Sequence, residues 1–337
     1  MYTSIVVPLD GSEFGKRAIP VALALASRSE AAVHLVHVQE HVALPQGAPM
    51  YDTRLDHESA HALRAGLTAL AVELARGTTL QVDTHFLDGP VVPTMQRYLR
   101  ESHHDLVVMM THGRGGISRA WLGSVADGLI RHAPVPLLLL RQETAWLSEA
   151  REPLFRRVLV PLDGSALADS VLDHIVSLAT TDITVYVLLT VTSPYIPIEY
   201  AGADIDPRSG RSHEELQREA ALAYLDRVAD ELRSSGALVE VLVESHHHAA
   251  HGILDIASEQ TVDLIALSTH GRGSVGRLIH GSVADKVVRG ATVPVLVYRP
   301  EPTNAEPSAY GRDAVMDLPV SHSSHGVAVD TVSRTST

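Results

Sequence analysis

LVVMMTHGRGGISRAWLGSVADGLI, residues Leu106–Ile130, is the stretch whose reading decides the fold. Five apolar residues run into a glycine-rich polar segment, and a helix-forming run begins at Gly123-Ser124. Strand, glycine loop and helix, in that order, make the anion-binding turn of α/β proteins. The segment THGRGGISRAWLGSVAD at Thr111–Asp127 returns as THGRGSVGRLIHGSVAD at Thr269–Asp285, with 11 of 17 positions identical. In both copies nine residues separate the glycine after histidine (Gly113, Gly271) from the Gly-Ser pair (Gly123-Ser124, Gly281-Ser282). One structural job is being done twice.

The repeat extends outward in both directions. IVVPLDGS at Ile5–Ser12 matches VLVPLDGS at Val158–Ser165. Helical stretches follow at Glu13–Ser29 and Ala166–Leu178, then strands at Ala32–Val38 and Ile183–Val191. Long amphipathic helices are expected near His57–Arg76 and His213–Ser234, and third strands near Leu80–Phe86 and Leu238–Val243. Short helices (Val92–Glu101, Gly252–Gln260) lead to fourth strands at Leu106–Met110 and Leu264–Ser268. Fifth strands, Val135–Leu140 and Val293–Tyr298, end each unit. Apolar strands alternating with helices indicate parallel sheets covered on both faces. The chain therefore reads as α/β, with two doubly wound domains at 1–143 and 154–300, each a five-stranded parallel sheet flanked by helices. Residues 144–153 read as a linker, and the Ser/Thr/Pro/His-rich residues 301–337 as a disordered tail.

Composition narrows the function. A chain of 337 residues can build two full cores, and aromatics at 4% make those cores aliphatic. The net charge of −13 argues against nucleic acid as a partner. Zero cysteines exclude disulfides and thiolate chemistry. No apolar run is long enough to cross a membrane, and MYTSIVVPLD enters a strand directly, so a cytoplasmic protein is expected.

Both motifs fall beyond the carboxyl ends of strands, where open parallel sheets bind ligands. Glycines allow close backbone approach to a phosphate. The amides at the helix start (Gly123, Ser124, Val125 and Gly281, Ser282, Val283) suit an anion, with Ser124 as candidate helix cap. Arg114 and Arg119, with Gly116 between them, could add charge-assisted contacts, and Arg272 and Arg277 repeat the arrangement. The competing reading makes the glycines turn formers and Gly-Ser a plain cap. Asp10 and Asp163 either meet an adenine amine or ribose hydroxyl, or cap the first helix in competition with the following serine. No GxxxxGK[ST] is present. Gly271-x-Gly273-x-x-Gly276 matches a dinucleotide fingerprint only in the second copy and after the wrong strand. His246, His247, His248 and His251 crowd one turn; imidazoles suit zinc, copper or nickel, against the plainer reading of a solvated loop.

With VPLDGS, His37-Val38 and THGRG…GSVAD, the chain resembles the universal stress protein family over both halves, about 290 residues. That resemblance implies an adenine nucleotide alpha hydrolase-like fold and an adenine nucleotide, ATP with or without Mg2+, as ligand. It further implies dimer-like pairing and a regulatory role in stress or dormancy. By the same matching Asp10 and Asp163 face adenine, Val38 and Val191 give backbone contacts, and Pro8 and Pro161 line the pocket floor. The family's first loop glycine is replaced by Met110 and Ser268, and Met110 would crowd the nucleotide. No general base or Mg2+-binding carboxylate pair stands beside the loop; His112 and His270 could at most orient a water. The leading expectation is an ATP-binding regulatory module. The alternatives are a weak hydrolase or adenylyl-transfer enzyme, and a nucleotide-free interaction scaffold. The fifth strands are expected to pair the two domains within one chain, with a homodimer beyond that left open.

Overall fold

A computed structural model describes residues 1–40, 53–76, 78–111, 122–141, 154–178, 183–194, 211–269 and 282–300. The expected linker and tail lie outside the described residues. The first half runs β1 (Ser4–Pro8), α1 (Glu13–Lys16), α2 (Ala18–Ser29), β2 (Ala32–Gln39), α3 (Thr53–Arg76), β3 (Val82–Asp88), α4 (Val91–Glu101), β4 (Leu106–Met110), α5 (Ser124–His132) and β5 (Leu137–Leu140). The second runs β6 (Arg157–Pro161), α6 (Ala166–Asp169), α7 (Leu172–Leu178), β7 (Val185–Thr192), α8 (His213–Ser234), β8 (Leu238–Ser245), α9 (Ala249–Glu259), β9 (Leu264–Ser268), α10 (Ser282–Gly290) and β10 (Val295–Tyr298).

Among the described residues the strands form one ten-stranded sheet in the order β3-β2-β1-β4-β5-β10-β9-β6-β7-β8. Each half is parallel and reverses its strand order between β1 and β4, or β6 and β9. The halves meet as the sequence leads one to expect, through their fifth strands, where β5 and β10 pair antiparallel. Leu138 lies opposite Leu296, its own counterpart in the repeat, so a pseudo-two-fold axis passes between them. Alternate strand residues feed two core layers. Ile5, Val7, Leu138 and Leu296 pack with α2, α3, α7 and α8 on one face. Val6, Leu139 and Val297 pack with α4, α5, α9 and α10 on the other. Both layers run through the junction, so the interior is continuous across the two halves.

The structure corrects two helices. The run Glu13–Ser29 breaks at Arg17, because Pro20 has no amide to offer Lys16 and its ring crowds that carbonyl. The run Ala166–Leu178 breaks after Asp169, where Ser170 turns its hydroxyl back onto Leu167 O at 2.6 Å. Both breaks shorten the helices that follow the Asp-Gly-Ser turns and tuck them against the strand ends.

Candidate functional site

At the carboxyl end of the first half, Pro8-Leu9-Asp10 leaves β1 under tight backbone control. Leu9 N donates to Val36 O at 2.8 Å, and His37 Nδ1 donates to Leu9 O at 2.8 Å. The second half repeats this with Leu162 N to Leu189 O at 2.8 Å and Thr190 Oγ1 to Leu162 O at 2.9 Å. Gly11 (φ 80) and Gly164 (φ 83) then take left-handed conformations that a side chain would resist. The turn brings Ser12 back to Asp10, whose Oδ1 accepts from Ser12 N at 2.9 Å and from Ser12 Oγ at 2.5 Å. Ser12 Oγ in turn accepts from Gly15 N at 3.0 Å and is the helix cap. Asp163, Ser165 and Ala168 N repeat the chain of bonds. The capping question is thereby decided: the serines cap, and Asp10 and Asp163 stay exposed at the strand ends.

Ser124 corrects the sequence reading in a related way. The cap of α5 is Gly123, with no side-chain capping bond, and Ser124 is the first helical residue. Gly123 N donates to Thr111 O at 2.8 Å, and the first helical bond is Asp127 N to Gly123 O at 2.9 Å. Between them the amides of Ser124, Val125 and Ala126 belong to the first turn, which has no carbonyl behind it.

These pieces surround one cavity of about 560 Å³, lined by Pro8, Leu9, Asp10, Gly15, Val36, His37, Val38 and Glu40 on one side. Val91, Met95, Met109, Met110, Thr111 and Gly123–Ala126 close the other. Of the expected residues, Pro8, Asp10, Val38, Gly123, Ser124 and Val125 meet here. The second half forms a matching cavity of 260 Å³, where Pro161, Asp163, Val191, Ser282 and Val283 meet. Gly113, Arg114, Gly116, Arg119, Gly271, Arg272, Arg277 and Gly281, with His112 and His270, lie outside the described residues.

The two cavities differ in their floors. Gly15 is replaced by Ala168, and Val36 by Leu189, adding carbon in the second. A Cβ on Gly15 would stand 3.0 Å from Asp10 Oδ1, so glycine leaves that carboxylate room. Charge differs as well. Asp169 stands where the first half has Lys16; it is buried, accepts a hydrogen bond from the Tyr224 hydroxyl, and burial pushes its carboxyl above the usual range. Met110, at the position where the family has a glycine, is 8% exposed; it packs in the core layer with α2 and also lines the cavity. Ser268 bonds Ser170 Oγ at 2.9 Å.

The histidine turn is tied to the sheet and to itself by backbone amides. His246 N donates to Thr192 O at 2.9 Å, the place held by Gly89 N and Gln39 O in the first half. His246 Nδ1 accepts from His248 N at 2.9 Å. Among the described residues no three His, Asp or Glu side chains gather to hold a metal ion. Sequence reasoning missed Gly15, His37, Met95 and Glu40. Gly15 and His37 could have been found from their places, one within the turn of the capped helix and one before Val38. Met95 reaches the cavity only through the packing of α4.

The fold and these paired strand-end cavities define a tandem, doubly wound α/β protein. A family model for the universal stress protein family matches residues 1–141 and 154–299. The chain belongs to that family. It is 27% identical over 310 residues to a universal stress protein of Mycobacterium tuberculosis, covering 88% of this chain and 94% of that one. A universal stress protein from Archaeoglobus fulgidus superposes with a TM-score of 0.64 at 20% identity, over 88% of this chain and 98% of that one. One from Pseudomonas aeruginosa gives 0.57 at 18%, over 89% and 94%. Another solved member, a complex with cAMP, matches 41% of this chain and 97% of its own at 23% identity and a TM-score of 0.32. Among the described residues no helix is long and apolar enough to cross a membrane.

Proposed function

We propose that the first cavity binds an adenine nucleotide, ATP with or without Mg2+, and that the protein is a regulatory module whose state the nucleotide sets. The observation that carries this reading is the meeting of three things in one 560 Å³ space. These are the free first turn of α5, the Asp10 carboxylate and an apolar wall of Val38, Val91 and Met95. A helix N-terminus favours phosphate, a carboxylate accepts from an amine or hydroxyl, and aliphatic walls suit a flat base. Ligand pockets run about 300–1,000 Å³; the first cavity lies within that range, and the second, at about 260 Å³, is roughly half its size. The second cavity, with Ala168 and Leu189 on its floor, is the poorer host for a polyphosphate. The reading is therefore one nucleotide per chain, held in the unit 1–143, with 154–300 as its paired, unfilled counterpart.

The test is to denature the purified protein and identify what it releases, then to titrate nucleotide-free protein with ATP. Release of ATP and a stoichiometry of one support the reading. ADP or AMP alone would favour hydrolysis, and a protein that neither carries nor takes up nucleotide would favour the scaffold.

A further inference from the structure

A cluster unrelated to the cavity sits at the opposite, amino-terminal edge of the first half-sheet. His34 on β2 and His85 on β3 share one hydrogen bond, Nδ1 to Nε2 at 3.1 Å. His104, in the turn before β4, packs edge-on to His34 with ring centres 4.7 Å apart, and Tyr98 of α4 lies between His85 and His104 at 5.3 and 4.6 Å. His104 is only 6% exposed; its Nδ1 pairs with Ser4 Oγ at 2.7 Å, while Nε2 and the Tyr98 hydroxyl are buried without partners. The second half has no such cluster. Equivalent register positions there hold Val187, Leu242, Ile256 and Val262, an aliphatic contact under α9. Four apolar positions of one repeat have become three imidazoles and a phenol in the other.

We propose that this cluster is a proton-operated latch that holds the carboxyl-terminal end of α4 against the sheet at neutral pH and releases it in acid. The hydrogen bond between His34 and His85 needs one nitrogen without a proton, so doubly protonated rings repel instead of bonding. His104 is almost wholly shielded from solvent, so a charge on its ring is costly. The facing groups are few: Asp83 on β3, with Oδ2 4.0 Å from His34 Nδ1, and Asp105 at the start of β4. Asp105 is already engaged by Thr3 N, Thr3 Oγ1 and Ser4 N. Arg100 and His103, beside His104, border the same edge from α4 and the turn.

The direction follows from burial. Burial, then the neighbouring imidazoles, pushes His104 down to about 4 from 6.5, and burial with His85 lowers His34. A group lowered in the closed state binds protons better when released. The latch is therefore at full strength above about pH 6.5 and weakens as pH falls towards 4. The amino-terminal half of the same helix supplies Val91 and Met95 to the cavity, so release at one end loosens a wall at the other.

Hydrogen exchange of the full chain at about pH 7.5 and 5.0, corrected for intrinsic rates, tests this with α9 as internal control. Protection of α4 should drop on the order of tenfold relative to α9 in acid. The variant His34→Val, His85→Leu, His104→Val, which installs the second half's side chains, should abolish the difference. Equal behaviour of α4 and α9 in the unaltered protein overturns the proposal without recourse to the variant. So does an acid loss in α4 that persists in the variant. Both measurements are made on nucleotide-free protein, because α4 also supplies Val91 and Met95 to the cavity wall.

Discussion

Asp10 shows how a short motif is spent. Its Oδ1 accepts from Ser12 N and Oγ, and Gly15 leaves space at 3.0 Å where an added Cβ would press on it. The carboxylate is thus oriented by its own turn before any ligand arrives, which lowers the cost of binding. Asp10→Ala is expected to weaken ATP binding by about tenfold, the loss of one hydrogen bond to a charged group, read by titration with the nucleotide. Met110 makes a different case. From sequence it looks like an obstacle at a glycine position, because a string of residues does not say which way a strand-end side chain turns. In the fold it is buried in the core layer. Met110→Ala should therefore cost about 2–5 kcal/mol of stability, measured by urea unfolding, while leaving the cavity wider.

At the level of elements, the strand–loop–helix order was legible because apolar runs and Gly-Ser pairs mark it twice. β4 and β9 have the limits expected, and α8 runs His213–Ser234 behind a Ser212/Glu215 capping box. The breaks within the first helices were not read, since Pro20 acts one turn beyond the break at Arg17 and the Ser170 back-bond at the second break exists only in the folded chain. The capping of α5 was misread for a related reason. A serine beside a glycine suits the cap, but the bond Gly123 N to Thr111 O places glycine at that position. Ser12 and Ser165 are the true side-chain caps. Ser12→Ala and Ser165→Ala should each cost about 1 kcal/mol, and Ser12→Ala should also weaken nucleotide binding because it releases Asp10. Chemical denaturation and ATP titration on the same samples separate the two effects.

Across the whole molecule, the repeat closes on itself. Leu138 faces Leu296, and Asp127 of α5 takes both Arg131 of its own helix and Arg289 of α10, the latter at 3.3 Å. Arg28 donates to Leu178 O at 2.6 Å, and Tyr2 OH to His174 O at 3.3 Å, further ties between the halves. Because both core layers pass through β5 and β10, Leu138→Asp would bury an unpaired carboxylate at the axis. It should lower the melting temperature strongly and split unfolding into two transitions, seen by calorimetry. Pairing of the halves through their fifth strands was expected from the family resemblance, and β5 and β10 bear it out. The unequal size of the two cavities was not, because Ala168 and Leu189 are conservative exchanges whose effect appears only once packed. The central claim, one nucleotide in the first cavity, rests on the first turn of α5. Calorimetric titration of ATP into nucleotide-free protein and into Gly123→Asp, which sets a carboxylate against the phosphates, tests it most directly. The account predicts one site per chain, lost at least a hundredfold in affinity in the variant; unchanged affinity in Gly123→Asp would contradict it.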